Sequence, residues 1–213
     1  MQFSKIFAAA LLLGSVSTAA LAQDDAAGVA GHFQVRVRGL AVLPDASATV
    51  KVGGVDIGGS THVTKSFVPE VDGTYFLTDN VGIELIAATT KHAVHNSVAG
   101  SVGSVWLLPP TATLQYHFNP NGAIRPYVGA GVNYTIFYSA HGNGAITDLS
   151  FKNNWGWALQ AGVDVPFGDG PYFFNADVKK LFLSTDLRAN GGVVRASADL
   201  NPWIVGAGVG VRF

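Results

Sequence analysis

The stretch from Trp203 to Phe213, WIVGAGVGVRF, carries the pattern that decides the fold. From Trp203 onward every second residue is apolar, while three glycines and an arginine lie between the later ones. A repeat of two residues is typical of a β-strand whose two faces meet different surroundings. A strand in the wall of a transmembrane barrel turns apolar residues toward lipid and small or polar residues toward the lumen. The stretch therefore predicts a strand of a membrane-spanning β-barrel.

The composition favours the same class of protein. Charged residues make up 13% of the 213 residues, against about 25% in a soluble globular domain. Hydrophobic residues make up 48%, and 26 glycines accompany 13 Phe, 6 Tyr and 4 Trp. This bias is typical of membrane barrels, although a soluble β-sandwich shows a milder form of it. The net charge of −1 gives no electrostatic case for nucleic acid, and the absence of cysteine excludes disulfides and thiolate metal sites.

The first residues predict a signal peptide for export. A short segment carrying Lys5 precedes an apolar run, residues 6–16, and Ala20-Leu21-Ala22 has the small-x-small form that signal peptidase cleaves. The apolar run is shorter than the roughly 20 residues that a membrane helix needs. We therefore expect residues 1–22 to be a cleaved signal peptide and residues 23–213 to form one barrel in the bacterial outer membrane.

The remaining chain resolves into eight strand-like segments joined by alternately short and long connections. The segments are residues 32–43, 67–77, 81–90, 108–118, 124–137, 155–166, 172–187 and 196–213. Short turns follow the second, fourth and sixth segments, and long loops follow the odd-numbered ones. This asymmetry is typical of an outer-membrane barrel with periplasmic turns and extracellular loops. We predict an all-β fold, an eight-stranded antiparallel transmembrane β-barrel.

Charged residues occupy many of the positions that should face the lumen. A barrel of eight strands is just wide enough for side chains or for one small ligand. Because an unpaired charge in such a space is costly, these residues should pair with one another. We predict a polar plug in the lower lumen made of Arg36, Arg38, Glu70, Asp72, Glu84, His117, Arg125, Asp164, Asp177, Lys179 and Arg212.

Six blocks of sequence resemble the OmpW family of outer-membrane proteins and cover most of the exported chain. They are RVRGLAVLPD (36–45), YFLTDNVGIELIAATTKH (75–92), GSVWLLPPTATLQYHF (103–118), RPYVGAGVNYTIFY (125–138), DVKKLFLSTD (177–186) and NPWIVGAGVGVRF (201–213). The resemblance implies a narrow, largely hydrophobic channel for uptake of small hydrophobic molecules. It also implies that the channel is blocked toward the periplasm and that solute leaves sideways into outer-membrane lipid. Phe213 is implied as a signal for the outer-membrane assembly machinery.

The inward faces become apolar toward the extracellular strand ends, which is what a hydrophobic pocket above a charged plug requires. We predict that the pocket includes Leu40, Val42, Ile86 and Ala88, a cap of Val55 and Ile57, and ligand contacts from Trp106 and Trp155. For the two tryptophans, a place in an interfacial aromatic girdle is the alternative.

Four prolines predict a weak place in the barrel wall, since each removes a hydrogen-bond donor from the strand ladder. We expect the lateral opening at Pro44, Pro69, Pro109 and Pro110. The alternative, that these prolines only end strands or relieve edge geometry, stays open.

Two other functions compete with solute uptake. None of the six histidines or the serines lies in a recognisable nucleophile context, and His92-x-x-His95 lacks nearby carboxylates. We therefore expect no enzyme, with no catalytic, metal or cofactor site. The second alternative is a structural or receptor-like barrel whose loops bind phage, bacteriocin or host surfaces without passing solute.

Overall fold

The computed structural model describes residues 28, 29 and 31–213, so the predicted signal peptide lies outside the described residues. Nearly all of this part of the chain is β-strand, apart from turns and one 3-10 turn at Asn190–Gly192. Within residues 28, 29 and 31–213 no helix is long and apolar enough to cross a membrane. The strands are β1 Phe33–Leu43, β2 Ser47–Val52, β3 Val55–Asp56, β4 Thr61–Val63, β5 Ser66–Phe76, β6 Val81–Ala87, β7 Thr90–Asn96, β8 Gly100–Leu108, β9 Thr111–His117, β10 Arg125–Gly142, β11 Ser150–Phe151, β12 Asn154–Pro166, β13 Tyr172–Phe182, β14 Ser184–Ala189, β15 Val194–Asp199 and β16 Trp203–Arg212.

Eight of these strands close into an antiparallel barrel in the order β1, β5, β6, β9, β10, β12, β13 and β16. The stretch that decides the fold supplies β16, which pairs with β13 on one side and with β1 on the other. The pairing of β16 with β1, for example Val35 with Val211, completes the circle. Each predicted segment contains one strand of the barrel wall, so the prediction of an eight-stranded barrel is confirmed.

The regions predicted as extracellular loops contain more strand than the sequence indicated. They form two small sheets above the barrel, one of β11, β14, β15, β2 and β3, and one of β4, β7, β8 and the upper part of β10. Between the two sheets lies a buried apolar cluster of Val94, Val102, Leu149, Leu187 and Ala189. The barrel lumen is therefore extended on the extracellular side by an apolar interior.

The outer face of the barrel carries an apolar belt. Leu85 and Leu114, on neighbouring strands, have 63% and 56% of their surface exposed. Aromatic pairs lie at both rims of this belt, including Phe33 with Tyr75, Tyr116 with Phe118, Tyr134 with Trp155 and Trp106 with Tyr138. Apolar surface between two aromatic girdles is the arrangement of a barrel wall that faces lipid.

The glycines of β16 make room for the large lumenal side chains of β1. The register sets Gly210 beside Arg36, Gly208 beside Arg38 and Gly206 beside Leu40. A Cβ atom at Gly208 would overlap the Val37 carbonyl oxygen. Because that obstacle is backbone, it cannot move aside as a side chain could. The alternation of β16 therefore serves lumenal packing as well as contact with lipid.

Replacing Gly208 with alanine should destabilise the barrel. The added methyl group must displace the β1 backbone, and overpacking of this kind typically costs about 1–3 kcal/mol. We expect Gly208→Ala to lower the free energy of unfolding by that amount, measured by urea titration of the protein in lipid bilayers with tryptophan fluorescence. Ala207→Val, on the exposed outer face of the same strand, is the matched control and should change the midpoint little. Equal midpoints for Gly208→Ala and the unaltered protein would contradict the packing argument.

Candidate functional site

The lower lumen is organised around the buried guanidinium of Arg36. Its Nε donates to Asp72 Oδ1 at 2.7 Å, and its Nη2 donates to Glu84 Oε1 at 2.7 Å and to Thr74 Oγ1 at 2.8 Å. Its Nη1 donates to the Tyr127 hydroxyl at 3.2 Å. None of the Arg36 surface is exposed. One cation of β1 is thus held by side chains from β5, β6 and β10, which joins the barrel across its interior.

Arg38, the next inward residue of β1, forms a second centre one step closer to the extracellular side. Its Nε donates to Glu70 Oε1 at 2.7 Å, and its Nη1 donates to Asp177 Oδ2 at 2.8 Å. Its Nη2 lies 2.9 Å from Asp72 Oδ2. The Lys179 ammonium forms an ion pair with the same Asp177 carboxylate. The buried charges therefore compensate one another, as a low-dielectric interior requires.

Aromatic rings and amides close the periplasmic end below these centres. His117 stacks on Tyr127 with ring centroids 5.0 Å apart and contacts Phe76 at 4.8 Å. Phe76 and Phe173 have no exposed surface. Side chains without exposed surface therefore occupy the lumen at this level.

All eleven charged or histidine residues predicted for the plug have positions on the lumenal face. Ten of them are linked through hydrogen bonds or ion pairs, directly or through neutral side chains. Arg125 is separate, because its Nε donates to the Gly122 carbonyl at the periplasmic turn. The predicted plug contains only charged residues and a histidine, whereas neutral side chains complete the network. In the sequence these neutral residues can be recognised because they alternate with outward-facing ones. They are Gln34, Thr74, Thr113, Gln115, Tyr127, Gln160 and Asn175.

Directly above the plug the lumen widens into an apolar cavity. Its volume is about 80 Å³. Its floor carries the polar side chains of Glu70, Lys179, Thr111 and Thr135. Its walls are mainly aliphatic and include Leu40, Val42, Ile86, Val105, Leu107, Leu181, Leu183 and Ile204. A concave apolar site with a few convergent polar groups is the usual form of a small-molecule site.

His92 is a polar group in the upper wall of this cavity, on β7 above the membrane-spanning strands. Its Nδ1 lies 2.6 Å from the Thr64 carbonyl oxygen and must donate, since a carbonyl only accepts. Burial lowers the pKa of His92, although the hydrogen bond to Thr64 opposes the shift. In the neutral ring Nε2 is an acceptor, and Thr90 Oγ1 at 3.1 Å donates to it. Both ring nitrogens are therefore satisfied, and the cavity wall carries no charge at this point.

A second apolar cavity of about 50 Å³ lies between the two extracellular sheets. Val63, Val94, Phe151 and Leu200 line both cavities. The apolar surface therefore continues from the extracellular end of the protein down to the polar floor.

The structure brings four of the eight predicted pocket residues together. Leu40, Val42, Ile86 and Ala88 line the cavity. The other four predicted residues, Val55, Ile57, Trp106 and Trp155, are not part of the cavity lining.

Trp155 lies on the outer face of β12 with 67% of its surface exposed, and Trp106 stacks on Tyr138 on the outer face of the wall. Val55 lies at the tip of the β2–β3 hairpin with 69% of its surface exposed, and Ile57 follows that hairpin outside the cavity lining. The alternation of side chains along the strands places both tryptophans on the lipid face. Val55 and Ile57 lie outside the lining because the β2–β3 hairpin ends beyond the cavity.

The strand pairing of the wall is interrupted beside the cavity. The pairs between β5 and β6 end at Val71 with Ala87, and pairing resumes above at Val63 with Val94. Within residues 31–213, no ladder pair joins residues 65–70 to residues 88–91. We call these two facing segments the wall seam. Only the seam's upper end is tied by backbone, where the Thr64 N–H donates to the Ala93 carbonyl at 3.1 Å.

Three of the four predicted prolines lie around this interruption. Continuing the registers of β5–β6 and β6–β9 sets Pro69 opposite Thr89 and Pro109 opposite Ala88. Pro110 follows Pro109 in the break between β8 and β9 and is exposed on the outer face. Pro44 lies apart from the seam, between β1 and β2, and lines the cavity. Ala88 thus has a proline beside it on one neighbouring strand, and Thr89 has one beside it on the other.

The fold and the site together define a small transmembrane β-barrel of the bacterial outer membrane, closed below by a polar plug and holding an apolar cavity above it. The OmpW family profile matches residues 29–213. The chain is 43% identical over 211 residues to the uncharacterized outer-membrane protein y4mB of Sinorhizobium fredii, with 97% of this chain and 90% of that protein covered. It is 37% identical over 202 residues to outer membrane protein W of Salmonella typhimurium, with 86% of this chain and 89% of that protein covered.

Among solved structures, the chain superposes on OprG from Pseudomonas aeruginosa with a TM-score of 0.82 and 28% sequence identity, covering 87% of this chain and 97% of that one. The chain belongs to the OmpW family, and it is a multi-pass protein of the outer membrane.

Replacing Arg38 should destabilise the plug. Arg38→Met leaves Glu70 and Asp177 buried without the guanidinium that pairs them, and breaking a buried pair typically costs about 3–5 kcal/mol. We expect a decrease of that size in the free energy of unfolding, measured by urea titration in bilayers. Asp45→Asn is the control, because Asp45 pairs with Lys180 at 3.4 Å while 73% of its side chain is exposed. It should change stability by less than about 1 kcal/mol. Similar losses in both variants would contradict the network.

Proposed function

We propose that this protein takes up small hydrophobic molecules from outside the cell and releases them through the wall seam into the outer membrane. The observation that carries the proposal is an apolar cavity that is closed below by charges and bounded at the side by two strand segments that do not pair with each other. Three properties of the site support it: the chemistry of the walls, the closed floor and the interrupted ladder.

The cavity walls select solutes by polarity. Transfer of apolar surface out of water is favourable by roughly 25 cal/mol per Å², and the aliphatic walls above the plug offer such a surface. A hydrophilic solute would lose its hydration without gaining hydrogen bonds, because most of the lining side chains carry no polar atoms. Apolar compounds are therefore the class that gains free energy by moving from water into this cavity.

The plug directs a bound molecule away from the periplasm. Arg36 has no exposed surface, and the rings of Phe76 and Phe173 fill the lumen below it. Downward passage would require separating several buried ion pairs at once, each of which is costly to break. Release to the side requires no such rearrangement, so the side is the favoured direction.

The wall seam is the place where the barrel side opens at least cost. A wall segment with a complete ladder must lose several backbone hydrogen bonds to separate, whereas residues 65–70 and 88–91 have no ladder pairs with each other to lose. Prolines at 69 and 109 reduce the number of backbone donors that would otherwise be left unpaired beside lipid. The seam adjoins Ala88 and Pro109, which line the cavity.

The function is tested by comparing cells with and without the protein. We expect faster uptake of a labelled medium-chain hydrophobic compound only when the protein is present, and no difference for a hydrophilic solute of similar size. Equal uptake of both compounds in both strains would contradict the proposal. Binding of phage, bacteriocin or host surfaces by the extracellular strands would then become the function to test.

The side exit is tested by restoring donors at the seam. Pro69→Ala with Pro109→Ala returns two N–H groups, which can extend the pairing of β5 and β9 with the segment that follows β6 and so close the wall. We expect uptake of the hydrophobic compound to fall several-fold while its binding to purified protein changes less than about twofold. Pro126→Ala, on β10 near the periplasmic turn, is the matched control and should behave like the unaltered protein. Unchanged uptake in the double variant would exclude the seam as the exit.

A further inference from the structure

The floor of the cavity contains an ammonium whose hydrogen-bonding capacity is largely unused. Lys179 lines the cavity, and only 2% of its surface is exposed. A lysine ammonium has three N–H donors. In the described part of the chain its one hydrogen-bond partner is Asp177 Oδ2, which also accepts from Arg38 and from Gln160. Two of the three Lys179 donors therefore have no partner among the described residues, and the side chain borders the cavity.

An acceptor is available on the same floor. Both hydrogen bonds that Glu70 receives from Arg38 end on Oε1, so Oε2 remains for another donor. The two floor threonines offer less, because each uses its hydroxyl proton within the protein. Thr111 Oγ1 donates to the Pro109 carbonyl at 2.9 Å, and Thr135 Oγ1 donates to Asn133 Oδ1 at 2.7 Å. The free polar capacity of the floor is thus one cationic donor and one carboxylate acceptor.

We propose that the preferred cargo of the cavity is a chain-like molecule with a neutral hydroxyl head, held by Lys179 and Glu70. A hydroxyl group accepts from the ammonium with its oxygen and donates to the carboxylate with its proton, so it satisfies both groups at once. The aliphatic walls cover the remaining chain. This inference rests on the proposed uptake function and names the substrate class of the same site.

The charge balance of the floor disfavours a carboxylate head. The linked groups include the carboxylates of Glu70, Asp72, Glu84, Asp164 and Asp177, against the cations Arg36, Arg38, Lys179 and Arg212. Five anions and four cations leave one excess negative charge in the network below the cavity. A further anion would be repelled at close range with little water to screen it, whereas a neutral hydroxyl would not.

The test compares labelled octane, 1-octanol and octanoate, each taken up by cells with and without the protein at equal, subsaturating concentrations. Protein-dependent uptake should be several-fold faster for 1-octanol than for octane or octanoate. Lys179→Met keeps the length of the side chain and removes the donors, so it should reduce protein-dependent uptake of 1-octanol about tenfold. Octane uptake should stay within about twofold. Lys179→Arg should restore most of the preference, because it keeps a cationic donor.

Lys180→Met is the matched control, since Lys180 is the next residue of β13 and lies on its outer face beside Trp203. Lys180→Met should leave the relative uptake rates of the three compounds unchanged. Heat-dependent gel mobility checks that each variant is a folded barrel. Equal protein-dependent uptake of 1-octanol and octane by the unaltered protein would overturn the inference without reference to any variant.

Two further results separate this inference from the function on which it rests. A folded Lys179→Met protein that loses octane and 1-octanol uptake in parallel would overturn the hydroxyl site and leave hydrophobic uptake standing. No protein-dependent uptake of any of the three compounds would overturn the proposed function, and this inference with it.

Discussion

Charges buried in an eight-stranded lumen must find partners within the protein, because the space is too narrow for the water that would otherwise solvate them. Arg36 and Arg38, on successive inward positions of β1, meet this constraint by reaching across the barrel. Their partners come from β5, β6, β10 and β13. The glycines of β16 supply the space that these two side chains occupy. This pair of arginines therefore requires acidic and polar side chains on the facing strands and small residues on β16 beside them.

The division of the lumen into two zones follows from the same constraint. Charges cluster where they can be paired, so the zone above the cluster is left with side chains that need no partner. Leu40 and Val42 continue the inward positions of β1 beyond Arg38 and already belong to the apolar cavity. One strand thus carries the plug and the pocket wall on the same face, with Leu40 of the pocket only two positions after Arg38 of the plug. A ligand that reaches the boundary meets an apolar wall and a charged floor together.

The sequence predicted whatever depends on alternation within one strand. The two faces of β1 and β16, the inward charges and the pocket positions Leu40, Val42, Ile86 and Ala88 all follow from a repeat of two residues. Features that depend on pairing between distant segments were not predictable in this way. The strands above the barrel are short and interrupted by glycines such as Gly53 and Gly54, so they resembled loops. The positions of Trp106 and Trp155 at strand ends suggested contact with the cavity. The alternation of side chains along each strand instead turns both toward the lipid side.

The wall seam combines both kinds of information. Prolines visible in the sequence indicate missing donors, but only the register shows that Pro69 and Pro109 flank the same two residues of the strand between them. In lipid an unpaired N–H group costs several kcal/mol, which is why membrane barrels normally complete every ladder. A proline has no such group, so a wall interrupted at prolines loses pairing without exposing as many donors. The prolines that interrupt the ladder therefore also lower the free-energy cost of the interruption in a membrane. An interrupted ladder of this kind is tolerated in a membrane only where prolines, or side chains such as His92 that bind a free carbonyl, replace the missing backbone hydrogen bonds.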